Sequence, residues 1–387
     1  MHDQPNIYLD YNSTTPVDSE VLREMMPYFS DQFANAASST HLQGKQAAGA
    51  VEESRLRIAN CINCEPNEII FTSGSTESIN LAISGVAEIY KSKGNHIITW
   101  ATEHKAVLES CARLQEKGFE ISVLPVNRDG LPDLDILKNC LSKETILVCV
   151  MMANNETGTL MPVREIADIA HSHGALVFCD ATQAPGKMRI NVQDAGADLL
   201  CISSHKMYGP KGCGALFLRR KNPRVKITPL IVGGGHENGL RSGTLNVPAI
   251  VGMGKAALLC AEKYWEDTSH FSEMRTLLEQ ILTTNGRGYV NGSIKNRVPN
   301  TTNICFPGIK ASELISKIPT LSMATGSACS SALPEPSHVL KAMGLSDAEC
   351  YSSVRLSVGR FTTREEIMLA VDLLAKAIDS LRKKLTL

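Results

Sequence analysis

The 387-residue sequence lacks any imbalance of charge, because 39 Lys and Arg residues nearly cancel 40 Asp and Glu residues and are interspersed with them. This balance argues against a nucleic-acid groove and against a polybasic membrane patch. No apolar run approaches membrane-spanning length, and residues 1–5 contain neither the basic nor the apolar region of a signal peptide. We therefore expect a soluble cytoplasmic protein with no direct nucleic-acid partner and no membrane partner.

The sequence also lacks internal repeats, low-complexity tails and a convincing metal-binding pattern. Its 12 cysteines are scattered singly, and several of them, such as Cys149, Cys179 and Cys201, fall inside apolar runs where buried, reduced thiols are expected. The C-x-x-C at 61–64 and the H-x-H at 171–173 both lack the second pair of ligands that a closed zinc site requires. We expect no bound metal.

The sequence does contain a repeating order of short apolar run, turn and amphipathic stretch between residues 68 and 220. The seven predicted strands lie at 69–72, 96–100, 121–124, 146–151, 175–179, 199–202 and 215–218. Predicted helices at 76–93, 106–117 and 163–173 each end near a glycine. This order is typical of βαβ units, so it predicts an α/β fold with a mainly parallel seven-stranded sheet. The loops at the strand ends should carry the functional site.

The pattern changes after Pro248. Helical periodicity at 249–266 and 271–283 leads to a strand-like run at 302–306 and to a last helix from 363 to about 384. We interpret 15–260 as a large cofactor-binding domain, and 1–14 together with 261–387 as a smaller α+β domain. The smaller domain would carry a mobile cysteine loop at about 322–335.

A lysine and an aspartate after two of the predicted strands point to pyridoxal 5′-phosphate chemistry. Lys206 follows the run 199–202, and Asp180 follows the run 175–179. A lysine amine can hold the cofactor aldehyde as a Schiff base, while a carboxylate keeps the pyridine nitrogen protonated. Taken singly, Lys206 can equally be interpreted as a solvated surface lysine, and Asp180 as a turn residue or a helix cap.

The segment 72–78, Thr-Ser-Gly-Ser-Thr-Glu-Ser, can hold the phosphate where a predicted strand turns into a predicted helix. The amides at a helix start attract an anion. Gly74 would let the backbone approach the phosphate, and Ser75 and Thr76 would add hydroxyl donors. Ser203 and His205 can add further donors beside Lys206. Ordinary helix capping is the alternative explanation of this segment.

Three further polar side chains lie near the ends of predicted strands. His104 comes after 96–100, where an imidazole can stack on a planar ring and move protons. A lone histidine is more often structural, so this assignment depends on the neighbouring motifs. Asn155, after 146–151, and Gln183, just beyond Asp180, can hydrogen-bond the cofactor hydroxyl and the substrate.

With these motifs in place, the chain resembles the cysteine desulfurases of the NifS/IscS type, a branch of the class V aminotransferases, over essentially its whole length. The matching segments are 7–11, 14–16, 71–74, 103–107, 154–156, 180–183, 205–206 and 209–212. The resemblance implies the aspartate-aminotransferase-like fold of the pyridoxal-phosphate-dependent transferases. It implies Lys206 as the Schiff-base lysine, Asp180 at the pyridine nitrogen, Gln183 at the ring hydroxyl, His104 stacked on the ring, and a phosphate site of Ser75, Thr76, Ser203 and His205.

Two more segments, 233–237 and 241–244, match the same family. In that family the second segment reaches the phosphate of the other subunit. The resemblance therefore implies a homodimer with shared sites, in which Thr244 contacts the cofactor. From the sequence alone, the glycines of these segments predict only a flexible turn.

The segment 325–332, Thr-Gly-Ser-Ala-Cys-Ser-Ser-Ala, distinguishes a desulfurase from an ordinary aminotransferase. A loop of small residues can move, and Cys329 at its centre can attack the sulfur of bound L-cysteine and carry the persulfide to a sulfur-acceptor protein. A buried structural cysteine fits poorly among Gly, Ser and Ala. Arg355 would clamp the substrate carboxylate in a planar two-point contact, as its counterpart does in relatives, or would otherwise be a paired arginine at the edge of the core.

We therefore predict a cysteine desulfurase that converts L-cysteine to L-alanine and a Cys329-bound persulfide, as a general sulfur donor for iron-sulfur cluster assembly and tRNA thiolation. One alternative is a dedicated donor, such as that of DNA phosphorothioation, whose loop begins like residues 324–328. Another is a non-catalytic interaction protein that retains the fold. The sequence ends at Leu387, soon after the last predicted helix. The lack of a longer tail weakens the expectation of docking to an iron-sulfur scaffold.

Overall fold

A computed structural model describes residues 6–325 and 335–385 of the chain. Its strands are β1 (Ile7–Tyr8), β2 (Ile69–Thr72), β3 (His96–Trp100), β4 (Glu120–Leu124), β5 (Thr145–Met151), β6 (Leu176–Asp180), β7 (Leu199–Ser203), β8 (Gly214–Leu218), β9 (Tyr289–Val290), β10 (Thr301–Cys305), β11 (Leu321–Ser322) and β12 (Ser353–Ser357). Its helices are α1 (Ser19–Met25), α2 (Pro27–Ser30), α3 (Leu42–Ile62), α4 (Ser75–Tyr90), α5 (Lys105–Gln115), α6 (Leu134–Cys140), α7 (Val163–Ser172), α8 (Val192–Ala195), α9 (Val247–Glu262), α10 (Tyr264–Thr283), α11 (Ala311–Lys317), α12 (His338–Ala342), α13 (Asp347–Tyr351) and α14 (Arg364–Leu385).

A seven-stranded sheet with the order β2-β8-β7-β6-β5-β3-β4 contains all seven strands that the sequence predicts. Strand β8 runs antiparallel to both of its neighbours, whereas the other pairs are parallel. The bounds of β2 and β3 coincide with the predicted runs, and the other five differ by one residue at one or both ends. The prediction of a mainly parallel sheet in an α/β fold is confirmed.

The predicted helices 76–93, 106–117 and 163–173 correspond to α4, α5 and α7. Each of the three ends one to three residues before the predicted end. For α5 and α7 the reason is the glycine that follows, because Gly118 and Gly174 both take positive φ angles, of 88° and 79°. A residue in that conformation ends an α-helix, and glycine adopts it without steric cost.

Both faces of the sheet are covered, so the side chains of its central strands are buried on both sides. Along β7, Leu200 and Ile202 belong to one apolar core, and Leu199 and Cys201 belong to the core on the opposite face. Successive side chains of a strand point to opposite faces, which explains the continuous apolar run that the sequence shows. Cys149, Cys179 and Cys201 are buried free thiols, as expected.

A second sheet with the order β12-β10-β9 is antiparallel and packs on α10 and α14 around a separate apolar core. The short strand β1 pairs in parallel with β11, which brings the N-terminal residues to this part of the molecule. The division into the domains 15–260 and 1–14 with 261–387 stays a prediction. Among the described residues, no helix combines the length and the apolar composition needed to cross a membrane.

The sequence misplaces the break between the two long helices that follow Pro248. It predicts helices at 249–266 and 271–283, whereas α9 ends at Glu262 and α10 begins at Tyr264. The chain turns at Lys263, whose φ of −93° and ψ of 8° are not helical. The turn lets α10 pack Phe271, Met274 and Leu278 into the second core. Trp265 at its start is 71% exposed, in contrast to Trp100 at the end of β3, which is fully buried.

Candidate active site

A cleft of about 650 Å³ lies where β5, β6 and β7 end. Ten of the twelve predicted site residues line it, namely Ser75, Thr76, His104, Asn155, Asp180, Gln183, Ser203, His205, Lys206 and Arg355. The other two are Thr244 and Cys329. The carboxyl ends of parallel strands share one edge of a sheet, so side chains that are distant in sequence meet there.

Lys206 lies in a short turn directly after β7 and projects its amine into the cleft. Its Nζ donates hydrogen bonds to the backbone carbonyls of Asn12 and Ser13, both at 2.6 Å. Burial and, to a smaller extent, the positive charge of Arg355 lower the pKa of Lys206 to about 8, although Asp10 and Asp180 act in the opposite direction. A lysine with a pKa this close to neutrality can act as a nucleophile and as a base.

Asp180 is the last residue of β6 and is 5% exposed. Its Oδ1 accepts hydrogen bonds from the backbone N–H of Thr182 at 2.9 Å and from the hydroxyl of the same residue. Within the part of the chain that is described, its Oδ2 accepts none. The loop therefore holds the carboxylate in one orientation and leaves one oxygen free for a donor in the cleft.

The start of α4 provides the anion site that the sequence predicts. No side chain among residues 6–325 and 335–385 caps this helix, so the amides of its first turn stay free. Gly74 precedes the helix with a φ of 153°, and the backbone of Gly214 in β8 packs against it. A Cβ on Gly214 would come within 2.6 Å of the Cα of Gly74, so the close packing of β8 beneath this turn requires glycine.

Ser203 and His205 lie on the other side of the same anion site. Ser203 ends β7 and is 2% exposed. The Nδ1 atom of His205 and the hydroxyl of Thr14 are 3.1 Å apart. Burial lowers the pKa of His205 to about 4, with smaller effects from Lys206 and Lys211. The imidazole is therefore neutral near pH 7.

His104 is the N-cap of α5, and its Nδ1 accepts a hydrogen bond from the backbone N–H of Ala106 at 3.1 Å. This contact fixes the ring orientation and leaves Nε2 on the side of the cleft. The protein around the ring lowers the pKa of His104 by burial, while Asp180 raises it and Lys206 lowers it. A neutral imidazole placed this way can stack on a planar ligand and exchange a proton with it.

Arg355, on β12, brings the second sheet to the cleft. Its guanidinium pairs with Asp10 at 2.6 Å and donates to the carbonyl of Asn155 at 3.0 Å. Its buried Nε has no hydrogen-bond partner in the described part of the chain. An unpaired buried donor is costly, so a carboxylate that reached this edge of the guanidinium would supply the acceptor that Nε lacks.

Three residues that the sequence analysis missed support the predicted ones. The backbone carbonyl of Asn12 accepts from Gln183 at 2.9 Å and from Lys206. Thr182 bridges Asp180 and the hydroxyl of Ser75, at 2.6 Å from the latter. Lys187 donates to the side-chain oxygen of Gln183 at 2.5 Å. Asn12 adjoins the recognisable segment 7–11 and Thr182 lies inside 180–183, whereas Lys187 carries no pattern of its own.

Thr244 is exposed and does not line the cleft of its own chain. Its neighbour Arg241 pairs with Glu77, in the first turn of α4, at 2.8 Å. The segment 241–244 therefore starts beside the anion site and then leads away from it. The predicted contact of Thr244 with the phosphate of a partner subunit stays a prediction.

Cys329 lies outside the described residues. On one side of its segment, Ala324 pairs through its backbone with Arg355. On the other side, the hydroxyl of Ser337 donates to the buried carboxyl of Glu156 at 2.5 Å, and the Nε2 of His338 contacts the carbonyl of Glu103 at 2.9 Å. Burial raises the pKa of Glu156 to about 7. The segment before the cysteine thus contacts a residue of the cleft, and the segment after it contacts Glu103 and Glu156, which precede and follow the cleft residues His104 and Asn155 in sequence.

The two motifs that resembled metal sites have other contacts. His171 pairs with Asp198 at 2.8 Å. Burial raises the pKa of the Cys61 thiol to about 11, which disfavours the thiolate that binds metals. Among the described residues, no group of three His, Cys, Asp or Glu side chains can hold a metal ion. The expected absence of metal stays a prediction.

The cleft residues fit pyridoxal 5′-phosphate. The free amides of α4 suit a dianionic phosphate, the free oxygen of Asp180 suits a protonated ring nitrogen, and the amine of Lys206 suits an aldehyde. The distribution of these groups around one cleft matches a ligand that is anionic at one end and aromatic at its centre.

Comparisons with known proteins identify the family of the chain. The sequence matches the family model described as Aminotransferase class-V over residues 7–369. The cysteine desulfurase IscS of Ehrlichia chaffeensis is 47% identical over 378 residues, which cover 97% of this chain and 92% of that relative. The cysteine desulfurase IscS of Anaeromyxobacter sp. (strain Fw109-5) is 47% identical over 381 residues, which cover 97% of this chain and 93% of the relative.

The solved structure of a NifS-like protein superposes with a TM-score of 0.90 at 35% identity, and the match covers 97% of this chain and 99% of the other. These matches confirm both the resemblance and the fold class that the sequence predicts.

Proposed function

The chain belongs to the class-V aminotransferase family, and from this membership we propose that it is a cysteine desulfurase that depends on pyridoxal 5′-phosphate. The observation that carries the proposal is the arrangement of Lys206, Asp180 and the uncapped start of α4 around one cleft, with Arg355 beside them. The relatives that are 47% identical over 97% of the chain are cysteine desulfurases of the IscS type, which favours this function over a non-catalytic role.

The cleft offers a residue for each part of the cofactor. Lys206 would hold the aldehyde and Asp180 the ring nitrogen, and Gln183 would donate to the ring hydroxyl. The phosphate would contact Ser75, Thr76, Ser203 and His205, with Thr244 of a second subunit. When bound, the cofactor supplies an electron sink that weakens the bonds at the substrate α-carbon.

The amine of Lys206 and the ring of His104 would carry the protons of the reaction. A pKa of about 8 leaves a usable fraction of Lys206 neutral near pH 7.5, so this amine can remove a proton from the substrate α-carbon. The lowered pKa of His104 favours a neutral ring, which can accept one proton and return it. The two groups lie in the same cleft, and the positive charge of Lys206 contributes to the lowered pKa of His104.

Arg355 and Asn155 would bind the substrate. The carboxylate of L-cysteine would take the unpaired Nε–H of Arg355 together with an N–H that now contacts Asp10 or Asn155. A planar guanidinium has two donors on one edge, which match the two oxygens of a carboxylate. A lysine ammonium would attract the carboxylate only as a point charge.

Cys329 would accept the sulfur. Its thiolate would attack the sulfur of the bound substrate, so that a new S–S bond forms as the carbon-sulfur bond breaks. The electron pair of the broken bond stays with the carbon, which is then protonated, and L-alanine leaves. The persulfide on Cys329 is the product that sulfur-acceptor proteins would consume, in iron-sulfur cluster assembly and in tRNA thiolation.

We further propose that the enzyme is a cytoplasmic homodimer. Exposed large apolar side chains in the N-terminal and 230–232 segments support an interface between two copies, among them Phe29, Phe33, Leu42 and Val232. The segment 241–244 begins with Arg241, which pairs with Glu77 beside the anion site, and its last residue, Thr244, is exposed. This arrangement suits a contact with a second subunit.

The proposal is tested by incubating the purified protein with L-cysteine and a thiol reductant and measuring sulfide and alanine together. We expect equal yields of the two products. The Lys206→Ala variant should form neither product, and the Cys329→Ala variant should bind the cofactor but release no sulfide. The Cys64→Ala variant is the matched control, because Cys64 is a half-buried thiol outside the cleft, and it should match the wild type.

Unchanged sulfide release by Cys329→Ala would refute the assignment of the nucleophile. A yellow wild-type protein that makes neither product would support the proposed cofactor site. It would also show that the enzyme needs a different substrate or an additional partner. A colourless and inactive protein would refute the proposed enzyme.

A further inference from the structure

Lys187 is a buried lysine behind the wall of the cleft. It is 6% exposed, and it forms no ion pair with a carboxylate in the described part of the chain. Burial lowers the pKa of Lys187 well below its usual value, and the nearby positive charges of Lys206 and Arg355 lower it further, while Cys260 acts in the opposite direction. Burying a lysine without a carboxylate partner lowers the stability of the protein, so the presence of a buried lysine at this position calls for a physical reason.

The contacts of Lys187 supply such a reason. Its Nζ donates to the side-chain oxygen of Gln183 at 2.5 Å and to the side-chain oxygen of Asn12 at 3.2 Å. Both contacts need an N–H from Lys187, and the amine has enough of them in either charge state. The arrangement therefore does not depend on whether Lys187 is protonated.

The contact with Lys187 determines which end of the Gln183 amide faces the cleft. Because the oxygen of Gln183 is directed to Lys187, its Nε2 lies on the opposite side, where it donates to the backbone carbonyl of Asn12 at 2.9 Å. Nε2 carries two N–H groups, and one of them has no acceptor within the described residues. Gln183 lines the cleft, so the remaining N–H is available to an acceptor bound there.

Asn12 connects the same contacts to Lys206. Its backbone carbonyl accepts from both Gln183 and Lys206, and its side-chain oxygen accepts from Lys187 and from Asn300 at 3.1 Å. Its side-chain nitrogen donates to Thr301 at 2.8 Å and to the carbonyl of Asn155 at 3.1 Å. Asn12 is therefore held by four segments of the chain, at 155, 183–187, 206 and 300–301, and can move little when Lys187 is replaced.

We propose that Lys187 is a positioning residue, which turns the donor end of the Gln183 amide toward the cleft and so prepares the site for a ligand with an anionic oxygen on an aromatic ring. The inference rests on the proposed function, in which that ligand is pyridoxal 5′-phosphate and the oxygen is its ring hydroxyl in the deprotonated form. Lys187 does not line the cleft, so it acts through Gln183.

The first test is the Lys187→Met variant, which keeps an unbranched side chain of similar length but has no donor. Without Lys187 the Gln183 amide can rotate, and the ring oxygen loses its donor for part of the time. We expect the dissociation constant for the cofactor to rise about tenfold, since a hydrogen bond to a charged group contributes about that much. We also expect the pH midpoint of the visible absorption of the bound cofactor to rise by about one unit, because an oxygen without its donor binds a proton more tightly.

A double-mutant cycle with Gln183→Ala separates this role from a general structural one. If Lys187 acts through Gln183, the pH midpoint of the double variant should equal that of Gln183→Ala alone. Lys255→Met is the matched control, since Lys255 pairs with Glu20 and does not line the cleft, and its midpoint should be that of the wild type. If Lys187→Met does not fold, Lys187→Gln takes its place in the cycle.

A yellow Lys187→Met protein with the pH midpoint and the cofactor affinity of the wild type would overturn the inference. A double variant whose shift in pH midpoint equals the sum of the shifts of the two single variants would overturn it as well. Both outcomes would leave the proposed function intact. A wild-type protein that binds no aldehyde cofactor would instead overturn the proposed function, and this inference with it.

Discussion

Lys206 owes its reactivity to its surroundings, because burial and the charge of Arg355 lower its pKa from 10.5 to about 8. Below that pH the amine is protonated and cannot attack an aldehyde, whereas above it the neutral form dominates. We predict that the cofactor-free protein attaches pyridoxal 5′-phosphate at a rate that rises about tenfold per pH unit up to pH 8 and then levels. The growth of visible absorption after mixing measures this rate.

The Arg355→Gln variant tests the cause of the lowered pKa. Removing the positive charge should raise the pKa of Lys206, so the rate profile should move to higher pH. A wild-type profile that still rises at pH 10 would contradict the prediction. A profile that is unchanged in the variant would show that burial alone lowers the pKa.

At the residue scale, the sequence predicts the groups with distinctive chemistry better than the groups that support them. Lys206 and Asp180 are recognisable because each follows an apolar run. Lys187 is not, because its role depends on a contact with Gln183 and on a second contact with Asn12, which is 175 positions away. Contacts of that sequence separation arise from the fold, and no local pattern encodes them.

At the scale of elements, the approach of β8 to the start of α4 determines the shape of the anion site. We predict that Gly214→Ala weakens cofactor binding at least about tenfold and lowers the free energy of unfolding by about 1–3 kcal/mol, because the added methyl group overlaps the backbone at Gly74. Equilibrium titration with the cofactor and denaturant unfolding would measure the two effects.

Gly49→Ala is the matched control for this substitution. Gly49 lies in α3, and a Cβ there would have no neighbour within 4 Å. The variant should be more stable than the wild type by about 0.5–1 kcal/mol, since alanine favours a helix over glycine. Gly214→Ala with the affinity of the wild type would contradict the account of the anion site.

The elements also show where periodicity succeeds and where it fails. The strands of the large sheet are predicted almost to the residue, because each is a short apolar run between turns. The break between α9 and α10 is missed, because apolar periodicity continues on both sides of Lys263 and the chain turns there without a glycine or a proline. The turn allows α10 to pack on the second core. Such tertiary packing overrides the local helical periodicity.

At the scale of the whole molecule, Arg360 joins parts of the chain that are far apart in sequence. Its guanidinium pairs with Asp18 at 2.8 Å and with Asp267 at 2.7 Å, and it stacks over the ring of Tyr208 at 4.3 Å. All three of these partners are buried. Tyr208 follows Lys206 closely, so these contacts link the cleft to α1 and α10.

We predict that Arg360→Met lowers the free energy of unfolding by about 3–5 kcal/mol, because two buried carboxylates lose their partner. Denaturant unfolding measures the loss. Arg364→Met is the control, since Arg364 pairs with Glu273 at the surface, where both side chains are 60% exposed. Its removal should cost less than about 1 kcal/mol. Similar losses in the two variants would contradict the prediction.

The contrast between the two tryptophans gives the protein an optical probe of its own. Trp100 is fully buried and lies four residues before His104, whereas Trp265 is exposed at the start of α10. A soluble quencher such as iodide should therefore suppress the emission of Trp265 and spare that of Trp100. The remaining emission overlaps the absorption of a bound pyridoxal ring, so energy transfer from Trp100 would report occupancy of the cleft without any added label.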